Sequence, residues 1–231
     1  MKSNAMLKAE AKEALQGRWK EAVLLNLIPT VISILVALIF LALIAVPAYF
    51  LFNSDMVQSA TSNFNTEVNL GGSGAPSFAG GIIATLFSVG ISWTFLDVLR
   101  RQKMTIEPLK DAFRGFQAPY GIGIVVIYLL TAIFTFLWSL LFIIPGIIKS
   151  YAYSQAYFIY YDEYRETGVA PSYRDSITKS RQLMDGHKGR LFLLDLSFIG
   201  WHIVCLFTLG IGYLWLTPYI STTKAAFYDS L

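Results

Sequence analysis

The sequence predicts an all-α membrane protein of six transmembrane helices in three hairpins. A short cytoplasmic interfacial amphipathic helix precedes each hairpin, and both termini are cytoplasmic. Three observations carry this reading. First, 55% of the 231 residues are hydrophobic, 15% are aromatic and only 14% are charged, whereas a soluble domain carries roughly a quarter charged residues. Second, apolar stretches recur at lengths that suit a bilayer. Third, sixteen of the eighteen lysines and arginines fall in segments that alternating spans place on one side, which orients that side toward the cytoplasm. The same composition excludes disordered, coiled-coil, collagen-like and disulfide-rich classes. With Cys205 as the single cysteine, no intramolecular disulfide and no thiolate metal site is expected. Neither a metal nor a cofactor is implied.

Residues 1–21 form the first cytoplasmic amphipathic helix, with Leu7, Ala11, Ala14, Leu15 and Trp19 on one face and Lys8, Lys12, Glu13 and Lys20 elsewhere. The first hairpin, 22–99, opens with an apolar run from Val23 to Phe52. Thirty helical residues reach about 45 Å against a hydrocarbon thickness of about 30 Å, so the run tilts, kinks at Pro29 or Pro47, or ends in the headgroups. A cleaved signal peptide fits poorly, because a long mixed-charge segment precedes a run that is too long. An outer polar loop, 53–77, leads through Gly71-Gly72-Ser73-Gly74 to a second span from Phe78 to Leu99.

The cytoplasmic loop 100–117 holds Arg100, Arg101, Lys103, Lys110 and Arg114. Thr105 is expected to cap its short helix, whose apolar face is Leu109, Ala112, Phe113 and Phe116. The second hairpin, 118–161, runs from Gly121 to Ile148 with a break at Pro145-Gly146. The segment Ile147–Tyr161 that follows reaches only about 22 Å, short for a crossing and compatible with a re-entrant half-helix. Charge favours a crossing, since only that places Arg165, Arg174, Lys179, Arg181, Lys188 and Arg190 beside the earlier basic loop.

The cytoplasmic loop 162–190 holds a third amphipathic helix opened by Pro171-Ser172, with Tyr173, Ile177, Ser180 and Met184 aligned. The third hairpin, 191–231, pairs Leu191–Leu209 with Ile211–Tyr228 across a Gly210-Ile211-Gly212 turn, and Lys224 is expected to snorkel to the basic side. All three amphipathic stretches end alike, in Leu15-Gln16-Gly17, Phe113-Arg114-Gly115 and Met184-Asp185-Gly186. Tyr160-Tyr161-Asp162 similarly matches Phe227-Tyr228-Asp229. These matches read as three copies of one unit, an interfacial helix followed by a hairpin.

Ionisable groups inside spans are costly and therefore the first candidates for function. Asp195 and His202 lie two helical turns apart on one face, a candidate intramembrane polar site. They would serve a proton or cation pathway, or else pair separately with a basic residue and across helices. Their rise of about 10 Å prevents direct contact. Lys149, alone on the outer side, is the candidate contact for an anionic ligand, or it snorkels to headgroups. Two hydroxyl stripes, Thr85, Ser88 and Ser92 and then Thr131, Thr135 and Ser139, read as helix-packing contacts with hydrogen bonds across helices, over pore lining. Asp97 is expected to pair locally with Arg100 or Arg101. The sequence contains no GxSxG, HExxH or P-loop and no paired carboxylates beside a histidine, so no enzyme and no nucleic-acid partner is expected.

Several blocks resemble a known family: Ala11-Lys12-Glu13-Ala14-Leu15 with Trp19, Ile143-Ile144-Pro145-Gly146-Ile147-Ile148-Lys149-Ser150-Tyr151, and Ser180 with Leu183-Met184-Asp185-Gly186-His187-Lys188. Leu196-Ser197-Phe198-Ile199-Gly200-Trp201, Gly210-Ile211-Gly212 through Trp215-Leu216, and Pro218-Tyr219 to Phe227-Tyr228 complete the set. Over nearly its whole length the chain resembles the bacterial integral membrane family listed as domain of unknown function 975. That resemblance implies a multi-span protein of Gram-positive cytoplasmic membranes with no established activity and no catalytic residues to transfer. The expected role is a non-enzymatic accessory component of a transport or envelope system. The alternative is a small transporter or lipid-handling protein with a midplane polar site. Expected partners are the bilayer, anionic headgroups, and a membrane protein or further copies of the chain.

Overall fold

The computed structural model describes residues 2–52 and 74–231. The polar loop therefore lies almost wholly outside the described residues. Helices are α1 (Asn4–Leu15), α2 (Trp19–Phe52), α3 (Gly74–Leu99), α4 (Pro108–Ala112), α5 (Tyr120–Leu141) and α6 (Ile143–Tyr153). They continue as α7 (Ala156–Thr167), α8 (Tyr173–Leu183), α9 (Lys188–Leu196), α10 (Ile199–Phe207) and α11 (Tyr213–Asp229). No strand occurs among the described residues.

Among the described residues, four helical stretches are long and apolar enough to cross a membrane: Trp19–Pro47, Gly80–Leu99, Tyr120–Leu141 and Lys188–Phe207. The two remaining expected spans are shorter. Residues 147–161 divide between α6 and α7, and α11 has 17 residues.

The helices begin and end where local chemistry dictates. Ser3 caps α1, its hydroxyl accepting from the Met6 N–H at 3.3 Å. α2 runs unbroken through Pro29 and Pro47. The expected Thr105 cap is not used. Glu107 is the N-cap of α4, with Pro108 at the first helical position, where its missing N–H costs nothing. The second hairpin turns at Phe142, which is extended at φ −160°, three residues before the expected Pro145-Gly146 break. Pro145 sits instead in the first turn of α6, where no intrahelical N–H is required. Gly146 is needed for packing, since a Cβ there would collide with the Ser139 hydroxyl of α5.

The three amphipathic helices pack on the long ones: α1 lies on α11, α4 on α2 and α3, and α8 on α5, α6 and α7. The apolar faces of α1 and α8 are spent in these contacts, whereas around α4 only Ala112 is buried and Leu109, Phe113 and Phe116 stay exposed. Leu7, Ala11 and Leu15 of α1, Ala112 of α4, and Ile177 of α8 are all buried. Two of the three matching glycines, Gly17 (φ +77°) and Gly186 (φ +74°), adopt the left-handed conformation that ends a helix. Gly115 differs. Its backbone packs on α3, where a Cβ would strike the Leu86 carbonyl.

The buried core follows the return helices. Trp93, Phe95 and Leu96 of α3, Tyr160 and Tyr161 of α7, and Ala225 of α11 are fully enclosed in one cluster. A second cluster joins Leu7 to Leu194, Phe198, Cys205 and Phe227. Beyond this core, α2 from Val31 to Val46, the α5–α6 turn and α10 expose large apolar side chains, surface that suits lipid.

The expected local pair of Asp97 is corrected. Asp97 instead meets Arg114 at 2.8 Å and Arg165 at 2.9 Å, while Arg100 turns to Asp162 and Asp229, each at 2.7 Å. Arg100 follows the end of α3 and projects toward the neighbouring hairpins, so the nearest carboxylate in sequence is not the nearest in space. Burial alone would lower the affinity of Arg100 for its proton, but hydrogen bonds to Asp162 and Asp229 outweigh it and raise the pKa above the ordinary arginine value.

Candidate functional site

The junction of α6 and α7 shapes the site. Ser180 of α8 inserts into the helical ladder there, accepting from the Gln155 N–H at 3.2 Å and donating to the Ala152 carbonyl at 2.8 Å. A side chain inserted in this way breaks a helix without leaving backbone groups unpaired. The break directs Ser154 and Gln155 into a cavity of about 680 Å³ between α3, α5, α6, α7, α9 and α11, within the range of small-ligand pockets. Val89, Phe158, Leu191 and Ile220 give it apolar walls.

Its polar groups converge from four helices. Lys224 of α11 meets Asp195 of α9 at 2.9 Å, and the Tyr151 hydroxyl of α6 donates to the other Asp195 oxygen at 3.1 Å. Gln155 is only 3% exposed. Its amide nitrogen donates to the Ser154 hydroxyl at 2.9 Å, but its Oε1 has no partner. Buried acceptors are nearly always satisfied, so this oxygen marks a place for a donor. Asp195 and Lys224 cancel in charge, giving a donor and an acceptor side by side with no net charge.

The sequence candidates are placed as follows. Asp195 lines the cavity and His202 does not: the His202 Nδ1 lies 3.2 Å from the Tyr213 hydroxyl within the third hairpin. Asp195 takes its charge partner from α11 of its own hairpin, so Lys224 ends in an ion pair. Lys149 sits 4.4 Å from the Trp138 ring, close to the α5–α6 turn. Thr85, Ser88 and Ser92 all line the cavity. Their hydrogen bonds stay within α3, from Thr85 to the Gly81 carbonyl and from Ser92 to that of Ser88, both at 2.8 Å. Thr131 donates to the Ile127 carbonyl at 2.7 Å and also meets the Tyr157 hydroxyl of α7 across helices, Thr135 is half-buried on α5, and Ser139 packs on Gly146.

Sequence reasoning missed Lys224, Tyr151, Ser154 and Gln155 as site residues. Gln155 is a lone amide inside an apolar segment, and that cost was its signal. Lys224 carried one too, as one of the two basic residues outside the three basic segments. Among the described residues no group of three or more His, Cys, Asp or Glu side chains is placed to hold a metal ion.

Helices of this length and apolarity, carrying a mixed polar and apolar cavity, define an all-helical membrane protein. A family model described as a protein of unknown function (DUF975) matches residues 1–149 and 140–231. The chain belongs to that family. No curated protein and no solved structure matches it.

Proposed function

We propose that this protein handles a lipid or comparable amphiphile at the Asp195–Lys224 cavity, as a non-enzymatic membrane component. The observation that carries the reading is the unpartnered Gln155 oxygen beside a neutral ion pair, within apolar walls. Such a floor favours a zwitterionic or neutral polar head, which pairs with both Lys224 and Asp195, and apolar walls accept its chains. The one-sided distribution of Lys and Arg favours both termini inside, and the family resemblance implies a bacterial cytoplasmic membrane. The broken α6–α7 pair and α11 would complete six crossings. An accessory role through the amphipathic helices receives less support from α1 and α8, whose apolar faces are occupied within the chain, than from the stretch around α4, where Leu109, Phe113 and Phe116 stay exposed.

The test is labelling of the detergent-solubilised protein by a photoactivatable zwitterionic phospholipid, followed by peptide mapping. Label is expected on α3, α7 and α11 around the cavity and is expected to vanish in Ser88→Trp, which fills it. Unchanged labelling in a folded Ser88→Trp protein rejects the cavity as the site.

A further inference from the structure

A second, separate concavity lies on the other side of the second hairpin. Arg174, Thr178 and Arg181 of α8 line it together with Phe134 of α5, Tyr153 of α6 and the buried Ile177, enclosing about 230 Å³. Positions 174, 178 and 181 share one helical face, with the threonine between the two arginines. Neither arginine meets a carboxylate among the described residues, although Lys179 between them pairs with Glu163 at 2.7 Å. Two guanidinium groups and a hydroxyl therefore converge on one small space with their donors free. Arginine forks match the oxygens of a phosphate, and the hydroxyl adds a further donor.

The wall of this space is apolar and continues away from it. Phe134 leads along α5 to Leu137 and Leu141, which are 56% and 63% exposed. These positions form one stripe, and from Phe134 to Leu141 it rises about 10 Å, within the roughly 15 Å of a single leaflet. A doubly positive recess at the head of an exposed apolar stripe complements a phosphate that carries acyl chains. A soluble phosphate would leave the stripe unused.

We infer that Arg174, Thr178 and Arg181 bind the phosphate of an anionic phospholipid whose acyl chain lies along the Phe134–Leu137–Leu141 stripe. This site is distinct from the Asp195–Lys224 cavity in position and in charge. The lipid it selects is anionic, where the cavity favours a neutral or zwitterionic head.

Native mass spectrometry of the full chain, extracted in mild detergent and titrated with phosphatidylglycerol, tests the inference. Arg174→Gln/Arg181→Gln is expected to weaken phosphatidylglycerol retention by roughly tenfold, through loss of two charge-assisted contacts. The charge-matched control Lys20→Gln/Lys110→Gln is expected to retain it like the natural chain. Arg174→Lys/Arg181→Lys keeps the charge, removes the planar forks, and is expected to fall between. Equal losses in both glutamine pairs would mean general electrostatics and overturn the site. Equal retention of phosphatidylcholine overturns the anionic preference. Displacement of phosphatidylglycerol by millimolar inorganic phosphate assigns the recess to a soluble anion and overturns the lipid. If the arginine-to-glutamine pair does not fold, the lysine pair decides: undiminished retention overturns the inference. Labelling of the other cavity by a zwitterionic probe is read independently, so failure at either site leaves the other standing or falling by its own result.

Discussion

Tyr228 donates its hydroxyl to Asp162 at 2.8 Å while its ring stacks on Phe158 at 4.8 Å and 15°. One unit earlier the arrangement repeats. The Tyr161 hydroxyl donates to Asp97 at 2.9 Å, and the Tyr161 ring stacks on Trp93 at 4.7 Å and 17°. In each case the aromatic residue four before the aspartate supports the tyrosine that binds it. Two of the three matching segments are therefore related by contacts as well as by sequence. Leu96 stands where the third tyrosine would be, so Asp229 is left to Arg100. Substitution separates the two roles. Tyr228→Phe keeps the stack and loses the hydroxyl, with an expected cost of about 1–2 kcal/mol. Tyr228→Ala loses both and is expected to cost roughly 3–5 kcal/mol. Thermal unfolding of the detergent-solubilised protein measures the difference.

Arg100 holds together the C-terminal parts of two helices, through Asp162 of α7 and Asp229 of α11. Arg100→Gln leaves both half-buried carboxylates short of their charge partner, with an expected loss of roughly 1–3 kcal/mol after allowing for their partial exposure. Arg100→Lys is expected to recover only part of this, because one ammonium does not reproduce a bidentate contact to Asp162 and a further bond to Asp229. The pH dependence has a definite sign. The folded-state pKa of Arg100 is raised, so its contribution is fully present below the ordinary arginine value. It is lost only as pH rises through that higher folded value. Unfolding midpoints should therefore show no loss from this group at mildly alkaline pH, as a comparison of the natural chain with Arg100→Gln checks.

The three matching glycines are expected to differ in their tolerance of a methyl group. Gly17→Ala meets open space and pays only for its left-handed φ, about 1 kcal/mol. Gly115→Ala places the methyl against the Leu86 carbonyl group, whose carbon is 2.9 Å away, and backbone has nowhere to turn. Its expected cost is at least 2–3 kcal/mol, of the order seen for overpacking. Midpoints for the two variants, measured side by side, give the order.

Much of this architecture was legible because its signals are local. Apolar length identified α2, α3 and α5, and the Xaa-Gly endings located the three amphipathic helices. Matching hairpin ends revealed Asp162 and Asp229 as related positions. What the sequence did not disclose depends on rotation about helix axes. Asp97 lies three residues before Arg100, yet it pairs with Arg165 from another hairpin. The hairpin turn fell at Phe142 because a proline in the first turn of a helix is harmless. The hydroxyl stripe of α3 was visible as a stripe, but whether it faced a helix or a cavity depended on the kink that Ser180 holds open. That kink arises from a side chain distant in sequence, and no local pattern announces it.

Gln155 offers the sharpest separation of stability from function. Its buried Oε1 has no partner, and an acceptor left in that state costs roughly 1–3 kcal/mol. Gln155→Leu removes the orphan and preserves most of the volume, while the backbone N–H still bonds to Ser180. The expected result is a protein of equal or higher unfolding midpoint, in which the Ser154 hydroxyl loses the Gln155 amide as a donor. If Gln155 serves the packing alone, photolabelling of the cavity by a zwitterionic lipid is unaffected by this change. If its oxygen receives a donor from the bound head, labelling falls while stability does not. A stabilised protein with weakened labelling is the expected outcome, because residues kept for binding are commonly the ones a fold holds at a cost.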